Sequence, residues 1–208
     1  KAKAIAERAF PFSPVLKDLG NGIQLLELFH GPSCAFKDFG ASFLATAMED
    51  FLLDTDRRAV ILTATSGDTG SAVAQAFHGR RNIDVVILYP SGRVSPLQEK
   101  QLTTLGGNIV ALEVEGSFDD CQRMVKEAFV DSELSQAIPL TSANSINVGR
   151  LIPQAFYYLY AFSRLKLKTA GELVFTVPSG NFGNLTAGIL AWRWGLPANA
   201  FVAATNAN

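Results

Sequence analysis

Six apolar runs of strand length, separated by stretches of helix length, constrain this sequence more than anything else in it. They are "QLLELFH" (24–30), "AVILTAT" (59–65), "DVVILYP" (84–90), "NIVALEV" (108–114), "ELVFTVP" (172–178) and "FVAAT" (201–205). Their Val, Ile and Leu are near-continuous rather than alternating, as in parallel strands covered on both faces. The stretches between them carry legible helix ends. Ser95 reads as an N-cap with Pro96 at the first position and Gln98 closing a capping box, and Gly106 falls past the end. Ser117 with Asp120 opens another helix, and Gly195 with Pro197 stops the last. Strand and helix alternate, so the expected fold is α/β: open, mostly parallel sheets with helices on both faces and right-handed crossovers. The two ends fit this less well. The first 20 residues read as a helix and an extended "PFSPVL" without a strand partner, and the sequence stops just after its last strand. A terminal strand with nothing packed after it leads us to expect a piece of a longer polypeptide.

Composition removes several classes of function. With 208 residues, 48% hydrophobic, 18% charged and a formal net charge of −1, the chain has apolar material for one large core or two small ones. No basic patch marks a nucleic-acid or membrane face, no apolar run reaches membrane-spanning length, and nothing in the pattern asks for a metal. The lysine-rich start "KAKAIAERAF" lacks the apolar core and cleavage site of a signal peptide. Two cysteines, Cys34 and Cys121, suit a reducing cytoplasm, where the sequon at Asn184 is accidental.

In an open α/β sheet, function resides in the loops beyond the carboxyl ends of strands. Four such loops are unusual. In "GPSCAFKDFG" (31–40), Lys37 opens a helical pattern in which Phe39, Phe43, Ala47 and Phe51 recur beside Leu44, Met48 and Leu52. A cation in a first helical turn opposes the helix dipole, so this amine needs a reason beyond surface solvation. In "TSGDTGS" (65–71), Ser66, Gly67, Thr69 and Gly70 place hydroxyls and N–H groups at a helix start, before a helix bearing Ala72, Val73, Ala76 and Phe77. Such a turn suits a carboxylate or phosphate, although a plain capped turn reads the same way. "PSGNFGN" (178–184) repeats the arrangement with Gly180 and Gly183. In "SANSINVGR" (142–150), Asn144, Ser145 and Asn147 supply short donors ahead of a helix running to about Arg164, and Arg150 adds a planar cation suited to phosphate. An amine, a phosphate cradle, a carboxylate cradle and a second phosphate site together point to pyridoxal 5′-phosphate, the common cofactor that carries both an aldehyde and a phosphate.

The stretches "FHGPSCAFKDFG", "TATSGDTG", "SPLQEK", "TLGGN", "SANSIN" and "VPSGNFGNLTAG", in this order, closely resemble the threonine synthases of the β-family (fold type II) of pyridoxal phosphate enzymes. The likeness runs from about Leu28 to Asn208. It implies a catalytic lysine at Lys37, which forms the Schiff base with the cofactor, and a cofactor-phosphate loop formed by Ser179, Gly180, Asn181, Phe182, Gly183 and Asn184. It implies that Ser66, Gly67 and Thr69 hold the substrate's carboxylate, with Asp68 beside the cofactor's ring oxygen. Asn144, Ser145, Asn147 and Arg150 would grip the substrate's γ-phosphate. The implied reaction turns O-phospho-L-homoserine and water into L-threonine and phosphate. The implied organisation is a small α/β domain at roughly 55–145 inserted between two parts of a larger one, 1–54 and 146–208. Family members are about twice as long, and their C-terminal portion supplies the partner of the pyridine nitrogen, so the rest of a longer polypeptide is expected to be required. Position 68 is Asp where the wider β-family usually has Asn, a feature shared with similar threonine synthases.

Other readings are weaker. "DTG" at 68–70 is also an aspartic-protease signature, but such a protease needs two carboxylates in an all-β setting. A nucleotide-binding Rossmann domain would need a "GxGxxG" turn and leaves Lys37 without a role. A non-catalytic relative that keeps the fold is separated from the enzyme only by assay. A relative such as threonine dehydratase has no γ-phosphate for the 142–150 segment to bind.

Overall fold

The computed structural model describes residues 1–145, 147–165 and 172–206. Its centre is a four-stranded parallel sheet in the order β5-β4-β3-β6, built from β3 (Ala59–Ala64), β4 (Ile83–Pro90), β5 (Ile109–Val114) and the short β6 (Leu140–Thr141). Both faces are covered, which is why β3 and β4 read as unbroken apolar runs. Ile61, Val85 and Ile87 pack with Ala41, Leu44 and Ala45 of α2 (Lys37–Asp54) and with Val73 and Phe77 of α3 (Asp68–Phe77). Leu62, Ala64 and Leu88 pack on the opposite side with Cys121 and Val125 of α5 (Phe118–Val130). Ile61, Val85 and Ile87 are fully enclosed, and truncating Ile87 to Ala would cost about 2–5 kcal/mol.

Two helices between these strands begin at capping boxes. Ser95 caps α4 (Pro96–Thr103) with Gln98 reciprocating, and Ser117 caps α5 with Asp120 reciprocating. A second, two-stranded parallel sheet pairs β7 (Val174–Pro178) with β8 (Ala200–Ala204). Its core joins Tyr157 and Tyr158 of α8 (Ala155–Arg164) to Ala187 and Ala191 of α9 (Gly183–Arg193), and Phe39 of α2 extends it. The remaining elements are α1 (Ala2–Ala9), β1 (Val15–Gly20), β2 (Ile23–Glu27), α6 (Ser132–Ala137) and α7 (Val148–Leu151).

Three sequence-based expectations need correction. The extended segment after α1 does have a partner, because β1 pairs antiparallel with β2, Val15 opposite Glu27 and Leu16 opposite Leu26. Residues 24–30 therefore contribute a hairpin strand rather than a parallel one. The connection is "GNG", where Gly20, Asn21 and Gly22 all take positive φ, the conformation that tight hairpins demand. The helix leading to Arg164 is broken: α7 gives way to a 3-10 turn at Ile152–Gln154 containing Pro153, whose missing N–H cannot continue an α-helical ladder. The buried stripe of α2 also runs through Ala41, Leu44, Ala45 and Leu52, leaving Phe51 exposed. No helix among the described residues is long and apolar enough to cross a membrane.

Candidate active site

Lys37 is delivered by a tight turn. The buried Asp38 accepts hydrogen bonds from the Ser33 N–H (3.0 Å) and the Ser33 hydroxyl (2.6 Å), folding residues 31–36 back onto the start of α2. Gly31 packs directly on that carboxylate, where any Cβ would collide with it. Asp38 is thus the acid that the helix dipole favours in this turn, and it leaves its neighbour free to be a cation. The Lys37 Nζ lies 3.4 Å from Asp68 Oδ2 and 5.5 Å from the Phe36 ring centroid. Burial pushes the amine below the ordinary lysine range, Asp68 opposes that, and the charge of Arg150 adds to it.

The turn at 65–71 is organised by Thr65, whose role sequence reasoning missed. Its hydroxyl oxygen accepts the N–H groups of Gly67 (2.9 Å) and Gly70 (2.8 Å) and donates to the Gly67 carbonyl (2.9 Å). A Cβ at Gly70 would lie 2.6 Å from Thr65 Cγ2 and 2.8 Å from Leu102 Cδ2. Gly67 sits at φ +142°, with the Gln98 amide against it. Two of the N–H groups expected to face an anion are therefore spent inside the turn. Ser66 and Thr69 line a cavity of about 290 Å³ together with Lys37, Asn144 and Ser145.

The 142–150 segment is tied to the end of β3. Asn144 accepts from the Thr63 hydroxyl (2.7 Å) and donates to the Ala64 carbonyl (2.9 Å), while Asn147 caps α7 through the Gly149 N–H (2.8 Å) and donates to the Ser142 carbonyl (2.6 Å). Asn147 and Gly67 line neither this cavity nor the larger one beside the 179–184 turn. Arg150 is only 1% exposed, which removes any reading of it as a solvated surface residue. Its Nη1 donates to the Ala143 carbonyl (2.6 Å), its Nε is buried without a partner, and no carboxylate among the described residues pairs with it. Burial lowers the guanidinium to about 10, against the pull of Asp38. A Cβ at Gly40 would lie 2.6 Å from the Arg150 carbonyl oxygen, so α2 and α7 meet backbone to backbone.

The turn at 179–184 is held from beneath. Asn184 is buried, and its amide donates to the Pro178 carbonyl (2.8 Å) and accepts from the Ser179 hydroxyl (2.5 Å) and the Leu185 N–H (3.0 Å). Tyr158 donates its hydroxyl to the Asn184 carbonyl (2.8 Å). Phe182 takes a left-handed conformation at the head of α9, and a Cβ at Gly180 would meet nothing within 4 Å. Ser179, Gly180, Asn181, Phe182, Gly183 and Asn184 all line a cavity of about 710 Å³ that also contains Lys37, Asp68, Ser145 and Arg150. Gln154, Thr205 and Asn206 share this lining without having been singled out in the sequence.

The amine, the open glycine turn and the buried arginine thus face one space, and comparison with known proteins gives it a context. Residues 9–150 match the family model described as pyridoxal-phosphate dependent enzyme. The chain belongs to that family. It is similar to the threonine synthase of Haemophilus influenzae, with 55% identity over 99% of this chain and 48% of that protein. Among solved structures, the threonine synthase of Escherichia coli superposes with a TM-score of 0.91 at 52% identity, covering 98% of this chain and 47% of the other. The pyridoxal phosphate-bound threonine synthase of Brucella melitensis gives 0.86 at 44% identity, covering 98% and 44%. The chain spans about half the length of the relatives it matches, and its fold is that of the fold type II enzymes.

The family's cofactor is pyridoxal phosphate, and the residues present fit it. An aldehyde requires an amine that gives up its proton readily, which burial provides at Lys37. A phosphate requires a turn with room above it at a helix N-terminus, which Gly180 and the head of α9 provide.

Proposed function

We propose that this chain carries the site that converts O-phospho-L-homoserine and water into L-threonine and phosphate. The observation that carries the reading is Arg150: a buried cation, with no acid partner among the described residues and an unsatisfied N–H, in the cavity that also holds Lys37 and the glycine turn. An unpaired buried charge is costly unless an anion completes it. The turn at 179–184 is already an anion cradle, so the arginine is left for a second phosphate, the substrate's.

In this reading pyridoxal phosphate, when bound, supplies the aldehyde that joins the substrate amine and the ring that takes up electrons as protons leave carbon. Ser179, Gly180, Asn181, Phe182, Gly183 and Asn184 hold its phosphate. Lys37 Nζ, kept low in basicity by its surroundings, takes a proton from the substrate's α-carbon and moves protons between neighbouring carbons. Asp68 faces that amine. Ser66 and Thr69, with Gly67 shaping their turn, hold the carboxylate. Arg150 and Ser145 meet the substrate's phosphate, while Asn144 and Asn147 form the framework that keeps both in place. A relative such as threonine dehydratase would have no use for Arg150. Two free cysteines, Cys34 exposed and Cys121 buried, accord with a reducing cytoplasmic setting.

The test pairs two variants. Lys37→Ala is expected to abolish the borohydride-trapped adduct with pyridoxal phosphate while the fold survives. Arg150→Ala, placed in the full-length enzyme, is expected to leave that adduct in place and to lower kcat/KM for phosphohomoserine roughly ten- to a hundredfold, the loss of a charge-assisted contact of about 1.5–3 kcal/mol. Loss of the adduct in Arg150→Ala at low pyridoxal phosphate, with the parent's KM for substrate restored once the cofactor is raised to saturation, would exchange the two phosphate assignments.

A further inference from the structure

Gln98 stands at the third position of α4, well outside the four loops, and its capping-box role with Ser95 accounts for only half of its side chain. Its Oε1 accepts from the Ser95 N–H (3.2 Å) and hydroxyl (2.9 Å). A backbone N–H can only donate, so the oxygen must face Ser95 and the amide nitrogen must face the other way. There it donates to Asp68 Oδ1 at 2.7 Å. The opposite oxygen of the same carboxylate, Oδ2, is the one turned to Lys37 Nζ. Gly67 clamps the arrangement, because the amide packs where a Cβ at that position would stand. Leu102, one turn further along α4, is 1% exposed and anchors the helix in the core.

We propose that Gln98 is a positioning residue that turns the Asp68 carboxylate onto the Lys37 amine. The proposal rests on the reading of Lys37 as the reacting amine. The Asp68 side chain is half exposed, so with no second contact water would compete for both oxygens. At 3.4 Å the pairing with Lys37 is long, and the rotation of the carboxylate decides whether it is made. The charged groups facing the amine are Asp68 from α3 and Arg150 from α7, while the neighbouring Asp38 turns away to Ser33. Among the described residues Asp68 is the one counterweight to burial and to Arg150, so whatever orients it governs how readily Lys37 loses its proton.

The test compares Gln98→Ala with Gln98→Glu in the full chain without pyridoxal phosphate. Lys37 is labelled with acetic anhydride across a range of pH and its modification read by mass spectrometry of the peptide. Gln98→Ala frees Asp68 to turn to solvent, and the labelling midpoint is expected to fall by about half a pH unit. Gln98→Glu preserves the capping box, for which Glu serves as well as Gln, but adds a carboxylate, and the midpoint is expected to rise from that charge alone, which shows that the labelling reports charge at this position. A purely structural Gln98 would leave Gln98→Ala at the parent's midpoint, and that result overturns the proposal. Should Gln98→Ala fail to fold, Gln98→Met, which keeps the length of the side chain without its donor, decides in its place. Absence of a borohydride-trapped adduct with pyridoxal phosphate on the parent chain would instead overturn the reading of Lys37, and the labelling curves would still judge Gln98.

Discussion

The two glycine-bearing turns, 65–71 and 179–184, look alike as sequence: each follows an apolar strand, opens a helix and mixes Ser, Thr or Asn with two glycines. They are built in opposite ways. In the first, the glycines are there for closeness. Gly70 lies against Thr65 and Leu102, Gly67 lies against Gln98, and the Thr65 hydroxyl consumes the N–H groups of both. In the second, Gly180 has open space around it, and the polar anchoring comes from Asn184 below the turn. The first turn aims side chains, Ser66, Asp68 and Thr69, whereas the second offers its own backbone. The same residue type therefore marks absence of room in one place and reserve of room in the other.

This contrast can be broken most forcefully at Thr65. Thr65→Val keeps the shape and removes the hydroxyl, orphaning two buried N–H groups, and is expected to lower unfolding free energy by about 2–5 kcal/mol in urea titration. A loss under about 1 kcal/mol would mean that the first turn does not depend on its internal bonds. Next in size, Gly70→Ala should cost about 1–3 kcal/mol through overpacking, whereas Gly180→Ala should stay within about 0.5 kcal/mol of the parent and act on pyridoxal phosphate affinity instead. Equal destabilisation of these two variants would erase the distinction. The smallest effect concerns the amine between the turns. Lys37 titrates below its ordinary value of 10.5 because it is buried, so the unfolded chain holds its proton more firmly than the folded one. Its ammonium form therefore weighs against folding at neutral pH, and this penalty fades as pH rises through the depressed folded value towards 10.5. Lys37→Met is expected to be more stable than the parent by up to about 1 kcal/mol at pH 7, with the gap closing in thermal melts at alkaline pH.

Of the parallel strands, β3 and β4 were legible because both their faces are buried and their composition shows it; β5, β7 and β8 read the same way from their Val, Ile and Leu although much of each is exposed, and the two-residue β6 was too short to read. The capping boxes at Ser95 and Ser117 were legible because they are local. The β1–β2 hairpin escaped because most of its residues are exposed, so no alternating pattern announces it, although "GNG" carried the turn signal. At the site, Lys37 and both turns could be singled out from residue type alone. The burial of Arg150 could not, since an arginine one turn into a helix is written identically whether it faces water or a cavity. Gln98 shows the limit most clearly: its bond to Ser95 spans three residues and is readable, while its bond to Asp68 spans thirty and exists only once α3 and α4 lie side by side.

The contact between Gly40 and the Arg150 carbonyl bears on how such a site can diversify. Because α2 and α7 touch through main chain, with Gln154 donating to the same carbonyl at 2.9 Å, the separation of amine and guanidinium is inherited with the backbone rather than chosen by side-chain packing. A descendant cannot slide one helix along the other to suit a longer or shorter substrate, since even a methyl group at position 40 forces them apart. In the proposed reading, changes of substrate come through replacement of Arg150 itself or through residues of the facing loops. The glycine therefore acts as a gauge block, fixing one dimension of the cavity while leaving its chemistry open to variation.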